Sequence, residues 1–200
     1  RVKTLDPKIF GGILADFNNR KHIKDLSSIG GLKFDLVVVN FYPFVKEAVE
    51  KKLDFSKAIE YIDIGGPSMI RAAAKNYHSV IPLCSPLLYS QFKDQFQKYN
   101  GKFSIEIRQK YAQRVFAMTA QYESSIYDYF SSDKEKFPDQ ININVSRVHN
   151  LRYGENPHQQ AAFYLTQEKE LPWKQYQGKE LSYNNYSDIE SAIDIVLEFN

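Results

Sequence analysis

The densest chemistry in the chain lies in residues 61–76, YIDIGGPSMIRAAAKN, where an acid precedes two glycines, a proline and a helix-forming run. Gly65-Gly66-Pro67 allows a tight turn and leaves backbone N–H groups at a helix start, where an anion or a carbonyl oxygen is welcome. Asp63 stands just before that turn, at the carboxyl end of a short extended piece, the position at which open α/β sheets form ligand crevices. Arg71 and Lys75 are four apart and share one helix face. A strand-loop-helix connection without a ligand accounts for the same pattern. In VNFYPF, Asn40 and Tyr42 fall on one side of an extended chain, an amide and a phenol able to hydrogen-bond a heterocycle; a plain strand-end turn is the alternative. Arg1, Lys3 and Thr4 offer alternate cations and a hydroxyl, either a phosphate grip or a solvated basic strand. LRYGENPHQ gathers Arg152, Tyr153, Asn156 and His158 around Gly154 and Pro157, as a polar site or as a solvated loop.

Other chemistries lack their patterns. His22, His78, His149 and His158 are scattered and Cys84 is the single cysteine, so no zinc spacing exists and no metal is expected. Neither a Gly-x-Ser-x-Gly elbow nor a P-loop occurs, which leaves acyl and NTP hydrolysis unsupported. A net charge of +2, from 26 basic and 24 acidic residues, provides no broad polyanion surface, so nucleic acid is not an expected partner. No run approaches the ~18 apolar residues of a membrane span, and no signal-peptide pattern is visible. Cys84, inside the apolar SVIPLC, is expected at a buried strand end in a reducing cytoplasm. With Arg1 inside a dense motif and the last residues inside a helical pattern, the chain is expected to be an internal portion of a longer polypeptide.

The elements that position these residues alternate. Residues 36–39 form a β-branched run suited to a strand covered on both faces, as in a parallel sheet. SVIPLC predicts a second strand, and residues 67–76, with proline in the first turn, predict the helix between them. That order argues for a βαβ unit in a doubly wound α/β domain. Ser85-Pro86 caps a helix that Gly101 stops. Ser104 caps a longer one whose apolar face holds Ile107, Tyr111, Val115, Met118 and Tyr122, an aromatic stripe assigned to the core. The polar segment 131–140 is the expected linker between domains 1–130 and 141–200. In the second, Ser187 and Glu190 have capping-box spacing for a final helix.

RVKTLDPKI..GGIL, VVVNFYPF, IDIGGPSMIRAAAKN, LRYGENPHQ and GKELSYNN occur in that order. Together they resemble the bifunctional AICAR transformylase/IMP cyclohydrolase family of purine biosynthesis. The resemblance covers essentially the whole chain. It implies a methylglyoxal-synthase-like cyclohydrolase domain, here its later part, followed by the start of a cytidine-deaminase-like transformylase domain. It also implies a cytoplasmic homodimer that uses 10-formyltetrahydrofolate to formylate AICAR and then closes formyl-AICAR to IMP with loss of water. Lys3 and Thr4, with Arg1 beside them, match positions that hold the nucleotide's phosphate and ribose end. Asn40 and Tyr42 match positions near the base, and Asp63, Ile64 and Gly65 match the Asp-Ile-Gly positions. Lys75 matches the lysine of the Ala-Ala-Ala-Lys motif. Arg152 and Tyr153 match an AICAR-contacting pair, and Asn185 an asparagine of the transformylase half.

The implied catalytic set is Lys3, Tyr42, Asp63 and Lys75. Asp63 would accept or orient the amide N–H, while Tyr42, Lys75 and the Gly65 N–H would stabilise or protonate the departing oxygen. Asp63, the glycine turn and Lys75 are expected to surround the base. Asp6 and Phe10 replace two histidines usual in the family, so either those histidines are dispensable or cyclisation is altered. The family's N-terminal phosphate segment and its transformylase Lys-His pair fall outside the 200 residues; alone, the chain is expected to be inactive in formyl transfer and weak in cyclisation. A non-catalytic purine-nucleotide-sensing module is the alternative from another class, and a structural protein, resting on aromatic content alone, a third.

Overall fold

The computed structural model describes residues 5–131, 137, 140–166, 171 and 173–199. The chain divides into two compact units, Arg1–Pro138 and Asp139–Asn200.

In the first unit the order is α1 (Pro7–Leu14), α2 (Arg20–Ser28), β1 (Leu36–Val38), a π-helical turn (Val45–Val49), α3 (Phe55–Ala58) with a 3₁₀ turn (Ile59–Tyr61), α4 (Gly65–Lys75), β2 (Ile81–Leu83), a 3₁₀ turn (Pro86–Leu88), α5 (Tyr89–Lys98) and α6 (Ile105–Ser131). β1 and β2 pair in parallel, Leu36 opposite Ile81 and Val38 opposite Leu83, with α4 in the crossover. The strand-helix-strand expectation therefore holds. Full coverage of β1 does not. Val37 and Val39 are buried, whereas Leu36 and Val38 are 39% and 48% exposed. Alternate side chains leave a strand on opposite faces, and only the Val37/Val39 face meets a core, formed with Ile13, Ile70, Ala73, Val80, Ala112 and Val115.

Local chemistry explains several boundaries. Asp6 caps α1, its carboxylate accepting from the Lys8 N–H at 2.7 Å, with Pro7 in the first turn. Phe10 packs against the main core. The two departures from the family's histidines thus have structural employment: one is a helix cap and the other is packing. Ser85 accepts from the Leu87 N–H, and Gly101 leaves α5 at φ +72, a conformation glycine adopts without strain. Phe55 to Ala58 and the two turns beside it were not anticipated. They replace the extended piece expected before Asp63, leaving only Ile62 extended.

α6 is 27 residues long, about 40 Å at 1.5 Å per residue. It supplies Ala112 and Val115 to the main core, Tyr111 to a second around Ile81, Leu83 and Phe103, and Tyr122, Ile126 and Tyr129 to a third around Phe44, Ala48 and Ala58. The aromatic stripe is core, as expected from its spacing.

The second unit pairs β3 (Val145–Asn150) with β4 (Ala162–Thr166) antiparallel, with a register shift between Arg147 and His149, and adds α7 (Tyr183–Leu197). The expected cap at Ser187 and Glu190 is wrong: Ser187 lies within α7. The capping box is Ser182 with Asn185, five residues earlier, and Ser182 is 1% exposed. Of the expected linker, only Ser131, Phe137 and Gln140 are among the described residues.

Candidate active site

Beyond the carboxyl ends of β1 and β2 the chain opens a cavity of about 480 Å³. Asn40 to Lys46 line it after β1, Cys84 to Pro86 after β2, and Met118, Gln121, Tyr122 and Ser125 of α6 close the third side. Its volume and place, at the ends of parallel strands, suit a small-molecule site. The π-helical turn contributes Val45 and Lys46 to the wall, its backbone wound so that the Glu50 N–H reaches the Val45 carbonyl. Such wide turns occur often at functional sites.

Asn40 is held by Tyr89 at the start of α5, its amide nitrogen 2.9 Å and its amide oxygen 3.0 Å from the phenol oxygen. Tyr42 is 46% exposed at the rim. Asp63 does not line the cavity directly. Its N–H donates to the Tyr122 hydroxyl at 2.8 Å, and Tyr122 lines the wall. One Asp63 carboxylate oxygen accepts from the Gly66 N–H at 3.0 Å, capping the start of α4. A side chain at Gly66 would put its Cβ 2.4 Å from the other carboxylate oxygen and 3.0 Å from Val39. The glycine is thus required by close approach of helix, acid and strand, not by a special turn. The Gly65 N–H has no acceptor among the described residues. Ile64 is 61% exposed.

Burial pushes the Tyr122 phenol up, against the opposing Asp63 N–H, so the group stays neutral. It accepts from Asp63 while Phe41 and Phe44 pack edge-on against its ring. Burial likewise raises the Cys84 thiol, opposed by its backbone and by the nearby Arg114, as befits a structural cysteine.

Lys75 sits in the last turn of α4. That helix has 11 residues, so its ends lie about 15 Å apart at 1.5 Å per residue. Asp63 and the glycines thus stand at the first turn of this helix and Lys75 at its last. Arg71, on the same helix, donates to the buried Thr119 hydroxyl at 3.3 Å and lies over the Phe116 ring. Arg1, Lys3 and Thr4 lie outside the described residues.

In the second unit the Arg152 guanidinium lies 4.9 Å over the Tyr153 ring and donates to its hydroxyl at 3.2 Å. Two backbone bonds pin this pair to the start of α7, Arg152 N–H to the Leu181 carbonyl at 2.9 Å and Tyr183 N–H to the Tyr153 carbonyl at 3.1 Å. The Ser182 hydroxyl, then Arg152, hold the Tyr153 phenol below its usual range. Asn185 uses its side-chain oxygen on the Ser182 N–H and hydroxyl, each at 3.0 Å. Asn156 and Gln159 close the turn after Gly154. Among the described residues no three His, Cys, Asp or Glu side chains cluster, and no helix is long and apolar enough to cross a membrane.

Sequence inspection missed Tyr89, Tyr122 and Ser182. Tyr122 was legible only as a core position, since its partner is 59 residues away.

Residues 73–200 match the protein family described as AICARFT/IMPCHase bienzyme. The chain belongs to that family. It is 46% identical over 196 residues to a bifunctional purine biosynthesis protein PurH of Leptospira biflexa serovar Patoc, covering 98% of this chain and 38% of the relative. A protein of the same name from Rippkaea orientalis is 44% identical over 207 residues, covering 100% and 40%. The chain therefore spans about two fifths of these curated relatives. A solved structure described as "Crystal structure of ForH" matches with a TM-score of 0.57 and 30% identity, over 68% of this chain and 69% of that one.

Proposed function

We propose that the intact protein carries out two consecutive steps of purine biosynthesis: formyl transfer from 10-formyltetrahydrofolate to AICAR, then dehydrative closure of formyl-AICAR to IMP. The observation that carries this is the family match on a chain whose Asn40 and Tyr42 line a cavity at the ends of two parallel strands. The names of the relatives favour an enzyme over a nucleotide-sensing module. On this reading residues 1–130 belong to a methylglyoxal-synthase-like, doubly wound cyclohydrolase domain, 131–140 to a linker, and 141–200 to the start of a cytidine-deaminase-like transformylase domain. The protein would act as a cytoplasmic homodimer.

Closure joins the carboxamide nitrogen to the formyl carbon within one molecule, so catalysis consists mainly of holding a reactive conformer. Asn40 and Tyr42 would contact the base, with Asp63, Ile64 and Gly65 beside it and Arg1, Lys3 and Thr4 on the ribose phosphate. Asp63 would orient or accept the amide proton, with the Gly66 N–H fixing one carboxylate oxygen and leaving the other for substrate. Tyr42 and the Gly65 N–H would stabilise the oxygen that leaves as water. Lys3 and Lys75 enter the catalytic set through the family motifs, Lys75 acting with Tyr42 to stabilise or protonate the departing oxygen. Arg152, Tyr153 and Asn185 would bind AICAR in the transformylase half.

The test follows IMP formation by absorbance after formyl-AICAR is supplied to the intact protein, with Tyr42→Phe, Asp63→Asn and Lys75→Ala alongside. IMP from the parent, with a loss of about 10²-fold in the Asp63 variant, is the range expected for a general base. No IMP from folded protein overturns the cyclohydrolase assignment. Full turnover by Asp63→Asn removes only the role of that carboxylate.

A further inference from the structure

A second cavity, about 670 Å³, opens between α5 and α6 and is larger than the first. Its polar lining is Gln91 and Gln95 from α5, Tyr99 just beyond it, and Lys110, Tyr111, Gln113 and Arg114 from α6. Lys110 and Arg114 are one helical turn apart and point to the same side. No acidic side chain lines the cavity, and neither cation is ion-paired among the described residues. Two adjacent unneutralised cations repel each other, so an anion between them relieves that repulsion and gains charge-assisted hydrogen bonds. The three glutamines each supply donors and an acceptor, which a bare anion would leave unused. Gln95 is already oriented, its side-chain oxygen accepting from the Tyr111 hydroxyl at 2.9 Å. Such a lining matches a ligand with an anionic end and a hydroxyl-rich or amide-rich body.

We propose that the α5–α6 cleft is a second ligand site, specific for a small phosphate ester with a hydrogen-bonding body, and that it communicates with the cavity at the strand ends. The link is α5 and the turn before it. Ser85 and Pro86 line the first cavity and Leu88 the second, while Tyr89 holds Asn40 at the first and Gln91 and Gln95, on the same helix, face the second. A ligand that draws α5 toward Lys110 and Arg114 moves the group that holds Asn40.

Ribose 5-phosphate is titrated into the intact protein, with inorganic phosphate alone in parallel, while hydrogen exchange is followed in residues 89–99 and 105–117. Ribose 5-phosphate slows exchange in both segments and binds at least tenfold more tightly than phosphate. Lys110→Gln/Arg114→Gln weakens that protection at least tenfold, with an unchanged circular dichroism spectrum, whereas Tyr42→Ala retains it. No protection in the parent, or protection that survives the double substitution, overturns the site. Equal affinity for phosphate overturns its specificity for an ester, and protection lost in Tyr42→Ala assigns the ligand to the first cavity. None of these readouts uses cyclisation, so the result stands apart from the proposed activity.

Discussion

Tyr122 has a hydrogen-bonding role that a phenylalanine of almost the same shape lacks. Tyr122→Phe leaves the Asp63 N–H without its partner, which costs about 1 kcal/mol of stability. If the phenol positions Asp63 for closure, kcat falls about tenfold, a barrier change of about 1.4 kcal/mol, while KM stays within about twofold. Unchanged kcat in a destabilised variant leaves the phenol with a structural role only. Asp54 offers a residue-scale test that needs no substrate. The Ser56 hydroxyl, then the Lys57 side chain and N–H, lower its carboxyl from 3.8 to about 2. A depressed carboxyl stabilises the fold above its unfolded value and loses that contribution as pH falls through the folded one. The cap on α3 is therefore complete above about pH 4 and vanishes toward about pH 2. Carbon-detected NMR titration of Asp54 should show the low value, and Ser56→Ala should move it upward.

At the scale of elements, α7 depends on the buried hydroxyl of Ser182. Ser182→Ala should cost about 1 kcal/mol, read as faster hydrogen exchange over residues 183–197. It should also let the Tyr153 phenol rise toward its usual range, because Ser182 is the first cause of its depression. A phenol that does not move would separate the cap from the Arg152–Tyr153 pair. This helix also shows where sequence inspection failed. Ser187 and Glu190 have the spacing of a capping box, but Ser182 and Asn185 have it too, and only burial of Ser182 under the 152–153 backbone decides between them. By contrast β1, α4, β2, α5 and α6 were legible, since their β-branched runs, prolines, caps and apolar period are local signals. The π-helical turn and α3 were not, because Phe44, Ala48 and Ala58 are arranged by Tyr122, Ile126 and Tyr129, far along the chain. The site divides the same way. Asn40 and Tyr42 stand out as polar groups at a strand end, whereas Tyr89, 49 residues from Asn40, gives no such sign.

Across the whole molecule the two units differ in what they bury. Among the described residues, every buried large apolar side chain belongs to the first unit, and in the second Ile141, Ile143, Val145, Tyr164, Tyr176 and Ile195 to Leu197 are about half exposed or more. A unit with so little buried apolar surface holds its hydrogen bonds weakly. Hydrogen exchange on the 200-residue chain should thus find residues 145–166 and 183–197 far less protected than α4 and β2. Equal protection would show that the second unit is stabilised by something other than its apolar core. The first unit is arranged differently, with all three of its apolar clusters resting on α6. Releasing α6 would take apart all three clusters at once, so detachment of that helix is expected only in the global transition of the unit. Tyr122 should keep its place in the wall of the strand-end cavity until then; earlier loss of protection along α6 in hydrogen exchange on heating would contradict this.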